Sequence, residues 1–567
     1  MSADDCKNTT IEQVYSDDPS INDLLTNVVG EVRSFAEAQV SHIHELVKIG
    51  LALSAEKNLD RLLEMIVSEA RRFTNADGGT LYIKREGEEV LEFSIVQNDT
   101  LRVRMGGTGE KISWPPIPLL DKNGGANERN VSAYCALHGT AINIADVYCA
   151  DGFDFQGTKE FDKTTGYRSK SMLVIPMRDH EDEVIGVLQL LNAKDRRSNE
   201  VLGFPAHEIK IITSLASTAA VAINNVRLIQ DLEDLLNAFV KSIASAIDAK
   251  SPYTAGHILR VASLTGRIVD ELNRTDGRYK GIRFTSDEAA EIRLAAWLHD
   301  VGKISTPEHI VDKSTKLQTI FDRIELIRHR MEILKRDIEI NNLKKQLGMT
   351  DEDATLSDSG VDLANLEQGL AFLESVNIGG EFLKDESVNR IKELAGLSCR
   401  INGKTVPLLN EDEMINLLIR KGTLSDKERD IINNHVNVGI KMLESLPFPK
   451  KMRQVPQYAG MHHEKLDGGG YPRGLTQEEI PVQARILAVA DVFEALTAAD
   501  RPYKEGKRLS ESMRILGFMV KDRHLDGDLC DFVVESGLIE EYARQYLSEK
   551  QLDDFEWKGR KYSFSRV

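Results

Sequence analysis

Paired cysteines are missing from this 567-residue chain: Cys6, Cys135, Cys149, Cys399 and Cys530 lie far apart, with no CxxC among them. Their spacing excludes a disulfide framework and a zinc ribbon and suits a reducing compartment. Basic residues are in deficit, and the formal net charge is −18. A general nucleic-acid binder advertises a basic face, so no nucleic-acid partner is expected. An anionic substrate would need a local positive field from metal ions or a few Lys and Arg. No run reaches ~18 consecutive apolar residues, so no membrane span is expected. The opening MSADDCKNTT lacks a basic region followed by an apolar one. No secretory signal is visible there, and a soluble, cytoplasmic protein is the expectation.

What is present is ordinary globular composition, 41% hydrophobic and 29% charged, over a length that allows about two to four domains. After a polar start, Leu25, Val28, Val32 and Phe35 recur at helical steps, and Leu46 and Ile49 resume the stripe. Residues 1–49 therefore read as a tail plus an amphipathic helix, packed on its own domain or forming a dimer seam. Residues 50–205 mix helical stretches with strand-like runs: GGTLYIK, VLEFSIV, and the pair SMLVIPM and EVIGVLQLLNA joined by the charged turn RDHEDE. This is an α+β, sensor-sized domain with a hairpin in its sheet. Residues 206–250 read as one long helix. Leu215, Ala219, Ala222, Val226 and Ile229 repeat in 4-3-4-3 steps, and Leu236, Val240, Ile243 and Ile247 keep the phase, with Glu233 interrupting. That seam favours a parallel coiled coil and a homodimer over a helix buried along one chain. From Ser251 onward the pattern is helix after helix. Residues 317–347 form a highly charged helix, and Asp351–Arg390 holds ten acids against two bases. Residues 317–421 are therefore read as an insertion, a solvated helical hairpin with an acidic connection.

The chemistry lies in the second half. His257 precedes Val261, Leu264 and Ile268 at helical spacing and so points inward. His299 and Asp300 end the apolar helix RLAAWL. A carboxylate in so apolar a place needs a partner, and a metal is a good one. Ser425 and Glu428 make a capping box, and Ile431, His435, Val438 and Met442 then share a face. His462 and His463 follow in HHEKLDGGGYP, and Leu487, Asp491 and Ala495 share another helical face. Five histidines and two aspartates exceed the needs of one metal but suit two bridged by a carboxylate. Lys303 stands where its amine could hold a phosphoryl oxygen.

The HD dipeptide with GK two residues on, HHEKLDGGGYP, and the following DVFEALTAADRPYK resemble the HD-GYP family of HD-domain phosphohydrolases over about residues 245–530, insertion excepted. The resemblance implies an all-α bundle, residues 251–530, followed by a C-terminal helical tail, 531–567. It also implies hydrolysis of cyclic di-GMP to pGpG and/or GMP at a dinuclear centre with a bridging hydroxide. His257, His299, Asp300, His435, His462, His463 and Asp491 would hold two divalent ions. Fe or Mn are favoured, with Zn, Ni, Co or Mg as alternatives. Asp300 would bridge, and Asp300 and Lys303 would serve the reaction. Lys303, Arg501 and Lys504 would contact phosphate, while Gly470, Tyr471 and Pro472 would shape the dinucleotide pocket. Tyr253 stands where some members place the Glu of a third metal, so two ions are expected. A non-catalytic module that binds cyclic dinucleotides and a hydrolase of cyclic GMP-AMP are the alternatives. TAINIADVYCADGF, FDKTTGYRSKSMLVIPM and GVLQLLNAKD resemble GAF domains over about residues 50–225. That implies an antiparallel sheet with flanking helices. It would bind a cyclic nucleotide at Asp162, Thr165 and Ser169, or another small molecule, or only dimerise. The family's pattern is incomplete: Asn192, Lys194, Phe204 and Glu208 remain, His207 stands for Asp, and Val96–Gln97 replaces a Phe-Asp pair.

Overall fold

The computed structural model describes residues 15–16, 18–85, 87–250, 256–275, 281–348, 363–380, 382–499 and 506–564. The chain divides into two compact units, Met1–Leu235 and Leu236–Val567.

The first unit opens with helices α1 (Pro19–Ala55) and α2 (Leu59–Thr74) and continues β1 (Ala76–Lys84), β2 (Val90–Asn98), β3 (Val103–Gly106), β4 (Ile117–Pro118), α3 (Val131–His138), β5 (Ile142–Ile144), α4 (Gln156–Thr165), β6 (Met172–Arg178), β7 (Val184–Lys194) and β8 (Val201–Leu202). The strands form one antiparallel sheet, ordered β3-β2-β1-β7-β6-β5, with β4 beside β2 and β8 beside β7. The expected hairpin is β6–β7, paired from Met172↔Leu191 to Arg178↔Val184. Side chains alternate across a strand, so the sheet builds two cores. Leu81, Ile175, Leu188 and Leu190 face α2 and the start of the long helix α5 (Ala206–Lys250). Tyr82, Met172, Val174 and Val187 face α3 and the loops around it.

Helix α5 corrects the coiled-coil expectation. Leu215, Ala219 and Ala222 are spent in the core of the first unit, and Val240 and Ile247 in a core of the second. Of the expected seam Ile229 stays exposed, beside a stripe of different phase, Leu228, Leu232, Leu235 and Phe239. Among the described residues α5 alone is long and apolar enough to cross a membrane by length and composition. Ile212, Leu215, Ala216, Ala219 and Ile223 nevertheless pack in a protein core. On α1, Ile49 and Leu53 enter that core and Leu46 packs against it, while Val32 and Phe35 stay exposed.

The second unit continues with α6 (His257–Arg274), α7 (Ser286–Leu298), the tight 3₁₀ turn Val301–Ser305, and α8 (Glu308–Val311). The inserted stretch holds α9 (Ile324–Gln346), α10 (Leu363–Asn377), α11 (Asp385–Ala395), the hairpin β9 (Ser398–Ile401)–β10 (Lys404–Pro407) and α12 (Glu411–Leu417). It is more than a solvated hairpin. Leu317, Ile327, Met331, Leu373, Ile391, Leu408 and Leu417 close a hydrophobic core of its own. The acid-rich residues 351–362 of the expected connection lie outside the described residues. Next come α13 (Asp426–Asn433), α14 (His435–Glu444), a 3₁₀ turn Lys450–Met452, α15 (Val455–Ala459), α16 (Val482–Thr497), α17 (Leu509–Lys521), α18 (Gly527–Glu535), α19 (Leu538–Tyr546) and the hairpin β11 (Phe555–Trp557)–β12 (Arg560–Tyr562). The residues read as a C-terminal tail are core: Val533, Ile539, Tyr542, Phe555 and Trp557 pack with Ile268 of α6 and Phe493 of α16. Two short hairpins thus interrupt the helical series.

Candidate metal centre

The site is assembled by helix ends. His257 is the first residue of α6, whose Val261, Leu264 and Ile268 are fully buried as their spacing predicts. A capping box of Thr285 and Glu288 starts α7. His299 caps its C-terminus, and Asp300 leads into the tight turn Val301–Ser305. A side chain at Gly302 would collide with the backbone of His435 and Gly439. Glycine at this place in HDVGK therefore lets the turn lie against α14 and brings Asp300 beside His435. The Ser425–Glu428 capping box starts α13 as read, but the helix breaks at Asn434. His435 consequently faces inward with Val436, Gly439, Ile440 and Leu443, while Ile431 and Met442, expected on its face, are exposed.

His462 and His463 leave α15 for the glycine loop. Two parts of the motif close that loop. The Tyr471 N–H donates to the His463 carbonyl at 3.2 Å, and buried Glu464 accepts from Arg473 N at 2.7 Å and Leu475 N at 2.9 Å. A side chain at Gly470 would strike the Glu464 backbone. The Tyr471 ring, ahead of a cis peptide to Pro472, lies 4.8 Å from the His463 ring between centroids.

These elements bring the seven expected histidines and aspartates together around Asp300. Its Oδ2 lies 3.4 Å from His257 Nε2 and 3.2 Å from His299 Nε2. Its Oδ1 lies 3.4 Å from His435 Nε2 and 4.0 Å from His462 Nε2. Asp491 Oδ1 joins the first group, 3.4 Å from His257 Nε2 and 3.9 Å from His299 Nε2. The donors fall into two sets, His257–His299–Asp300 and His435–His462–His463, each with ligand atoms within 4.8 Å of one another.

The histidines are oriented for a Lewis acid. The Nδ1 atoms of His299, His435 and His462 face the carbonyls of Ala296, Ile432 and Ala459 at 2.8, 2.5 and 2.6 Å. With Nδ1 as the donor, Nε2 keeps a lone pair turned inward. Those three Nε2 atoms and Asp300 Oδ1 are buried without a hydrogen-bond partner. Buried polar atoms are otherwise paired, so this donor set fits divalent cations. Burial and the neighbouring His435 push His463 down to about 3, and burial together with His463 holds His462 well below its ordinary value. Both stay neutral, the form in which an imidazole offers a lone pair. Burial opposes the charge on Asp300 and His257, but their neighbours win. Lys303 and His299 hold the carboxyl well below its usual range, while Asp300 and Glu494 raise His257 to about 10.

The Lys303 amine bonds Asp300 Oδ2 at 2.6 Å, at the edge of the centre. Arg501, Lys504 and Tyr253 lie outside the described residues. Sequence reasoning missed Glu494. It is almost fully buried, bonds His257 Nδ1, and accepts from Arg260 Nε at 2.7 Å. It sits three residues after Asp491 on the same face of α16, whereas Ala495, expected there, is exposed. In the first unit, Asp162 accepts from Ser169 N at 2.8 Å, Ser169 Oγ at 2.9 Å and Tyr148 Oη at 3.0 Å, and Thr165 Oγ1 bonds the Phe161 carbonyl at 2.8 Å.

The GAF domain family model matches residues 58–223, and two HD domain models match residues 254–363 and 378–529. Among curated relatives, 3'3'-cGAMP-specific phosphodiesterase 1 of Vibrio cholerae serotype O1 is 39% identical over 120 residues, 21% of this chain and 27% of the relative. A cyclic di-GMP phosphodiesterase of Thermotoga maritima is 40% identical over 98 residues, 17% of this chain and 26% of the relative. The cyclic di-GMP phosphodiesterase response regulator RpfG of Xanthomonas campestris is 40% identical over 101 residues, 18% of this chain and 26% of the relative. The chain spans about a quarter of the length of these relatives. An antiparallel sheet domain thus precedes a histidine–aspartate centre with its HHEKLDGGGYP loop, and the chain carries a GAF domain followed by a region that matches HD domains and is similar to cyclic-dinucleotide phosphodiesterases.

Proposed function

We propose that this chain is a cytoplasmic, metal-dependent phosphodiesterase that hydrolyses cyclic di-GMP to pGpG and/or GMP, with its GAF domain regulating the reaction. The observation that carries the reading is the division of Asp300 between two groups of donors. In it, His257, His299, Asp300 and Asp491 hold one divalent ion, Fe or Mn before Zn, Ni, Co or Mg. Asp300, His435, His462 and His463 hold the other. Such a pair supplies Lewis-acid polarisation of a phosphoryl oxygen and acidifies water at neutral pH. Lys303 offers an ammonium to the phosphodiester, in a chain whose overall charge of −18 would otherwise repel it. Gly470 and Pro472 set the loop, and the Tyr471 ring beside His463 gives a guanine a face to stack on. Arg501 and Lys504 are proposed as further phosphate contacts. Asp162, Thr165 and Ser169 border the proposed small-molecule or cyclic-nucleotide site of the GAF domain. The exposed stripe Leu228, Leu232, Leu235 and Phe239 supports a homodimer through α5.

The test is purified full chain reconstituted with Mn or Fe and incubated in parallel with cyclic di-GMP and 3'3'-cyclic GMP-AMP, with products resolved by chromatography. The expected result is pGpG or GMP from cyclic di-GMP, lost in His299→Ala and Asp300→Ala. Intact cyclic di-GMP overturns the reading: turnover of cyclic GMP-AMP alone would change the substrate, and tight binding without product would leave a signalling module.

A further inference from the structure

The last turn of α5 reaches the centre from outside the ligand set. Lys250 is the final residue of that helix. Its ammonium donates to three carbonyls of the turn that follows Asp300: Lys303 O at 3.2 Å, Ile304 O at 2.5 Å and Thr306 O at 2.7 Å. Lys303 O also accepts from Thr306 N at 3.1 Å, and a cation at the carbonyl end of a helical turn is favoured by charge as well as by hydrogen bonding. Two residues earlier, the Asp248 carboxylate accepts from Gly256 N at 3.0 Å. Gly256 is the residue before His257, at the start of α6. One turn of helix thus holds both the segment that delivers His257 and the segment that carries Asp300 and Lys303. Its register is fixed by packing, because Val240, Ala244 and Ile247 share a core with Ile258, Leu294, Leu298 and Val301. Ile247, Asp248, Lys250, Asp300 and Lys303 line one small cavity.

We infer that Lys250 and Asp248 are positioning residues, through which the end of α5 sets the spacing between His257 and the Asp300–Lys303 turn. This rests on the metal centre proposed above. Neither residue touches substrate in this account. Each acts by holding backbone, Lys250 through charge-assisted bonds to the turn and Asp248 through the amide ahead of His257. A turn released by a fraction of an ångström would still be folded, but the two oxygens of Asp300 would no longer fit both donor groups at once. Misplacement of about 1 Å is enough to cost ~100-fold in a positioned site.

The experiment uses the full chain with Lys250→Met, which keeps the length of the side chain and removes the donors, Lys250→Arg, which keeps cation and donors, and Asp248→Ala, which removes the acceptor for Gly256 N. The first readout is calorimetric titration of apo protein with Mn. The second is amide hydrogen exchange of residues 301–306. The third is kcat and KM for cyclic di-GMP. Lys250→Met is expected to weaken Mn binding about tenfold, speed exchange in 301–306, and lower kcat more than it changes KM, with Lys250→Arg restoring most of each. Asp248→Ala is expected to weaken Mn binding with exchange in 301–306 near wild type. If Lys250→Met does not fold, the Lys250→Arg and Asp248→Ala titrations decide. Wild-type Mn affinity together with wild-type exchange in Lys250→Met, or wild-type Mn affinity in Asp248→Ala, would overturn the inference. The titration and the exchange need no turnover, so a wild-type chain inactive on cyclic di-GMP would sink the substrate proposal and leave this one still decided.

Discussion

The buried polar clusters of the two domains differ in how they are satisfied. In the GAF domain the carboxylate of Asp77 is met by Tyr167 Oη at 2.7 Å, Thr100 Oγ1 at 2.8 Å and the Lys194 ammonium. Asn192 donates to Tyr167 Oη at 2.9 Å and the Arg168 carbonyl at 2.8 Å, and accepts from Lys170 N at 2.7 Å. Asp162 is equally engaged by Ser169 and Tyr148. In the HD domain, His299 Nε2, His435 Nε2, His462 Nε2 and Asp300 Oδ1 are buried facing one another without a hydrogen bond. Satisfied burial builds a fold. Unsatisfied burial at converging lone pairs has a physical reason only if something electron-poor completes it.

That contrast can be broken by substitution. Asp300→Ala should have the largest effect. It removes the one carboxylate facing both donor groups and should abolish binding of two ions and lower turnover by more than ~100-fold, beyond the ~10–100-fold typical of supporting residues. Elemental analysis and product chromatography on one preparation check it. Glu494→Gln should come next. It leaves every ligand in place but weakens the carboxylate behind His257 Nδ1, and a metal titration should show affinity lower by ~10–100-fold.

Asp162→Ala sharpens the other side. It orphans Ser169 N and Tyr148 Oη, so urea unfolding should show a loss of ~1–3 kcal/mol with metal content unchanged. The smallest effect concerns pH. Burial opposes the charge on Asp77, but Lys194, Tyr167 and Thr100 hold its carboxyl below the usual range. A carboxyl depressed in the folded state contributes stability above its unfolded value of ~3.9 and loses it as pH falls through the folded one. GAF unfolding followed from pH 6 downward should therefore steepen below ~4, and Asp77→Asn should flatten that limb.

Legibility in the sequence followed the distance over which each feature is encoded. The β6–β7 hairpin, the inward face of α6 and the Ser425–Glu428 capping box are local patterns, and each reads directly. The clustered donors were legible because HD and HHEKLDGGGYP keep four of the seven contiguous in two short runs. Glu494 was not, because its partner His257 is 237 residues away. His435 points inward as read, but Ile431, assigned to the same face, is exposed because the helix breaks at Asn434 between them. The α5 seam failed for a related reason. A heptad pattern records which residues are buried but not against what, and both ends of this one pack within their own chain. The insertion looked solvated because charges are dense in its first helix and acids in its connection, although Leu317, Leu373 and Leu417 meet across the whole inserted length.

The most direct test of the central claim is metal stoichiometry of the full chain after reconstitution with Mn and removal of free ion, compared between wild type and Asp300→Ala. The account predicts two ions per chain in wild type and at most one in the variant. No bound metal in wild type, or two ions retained without the Asp300 carboxylate, would contradict it.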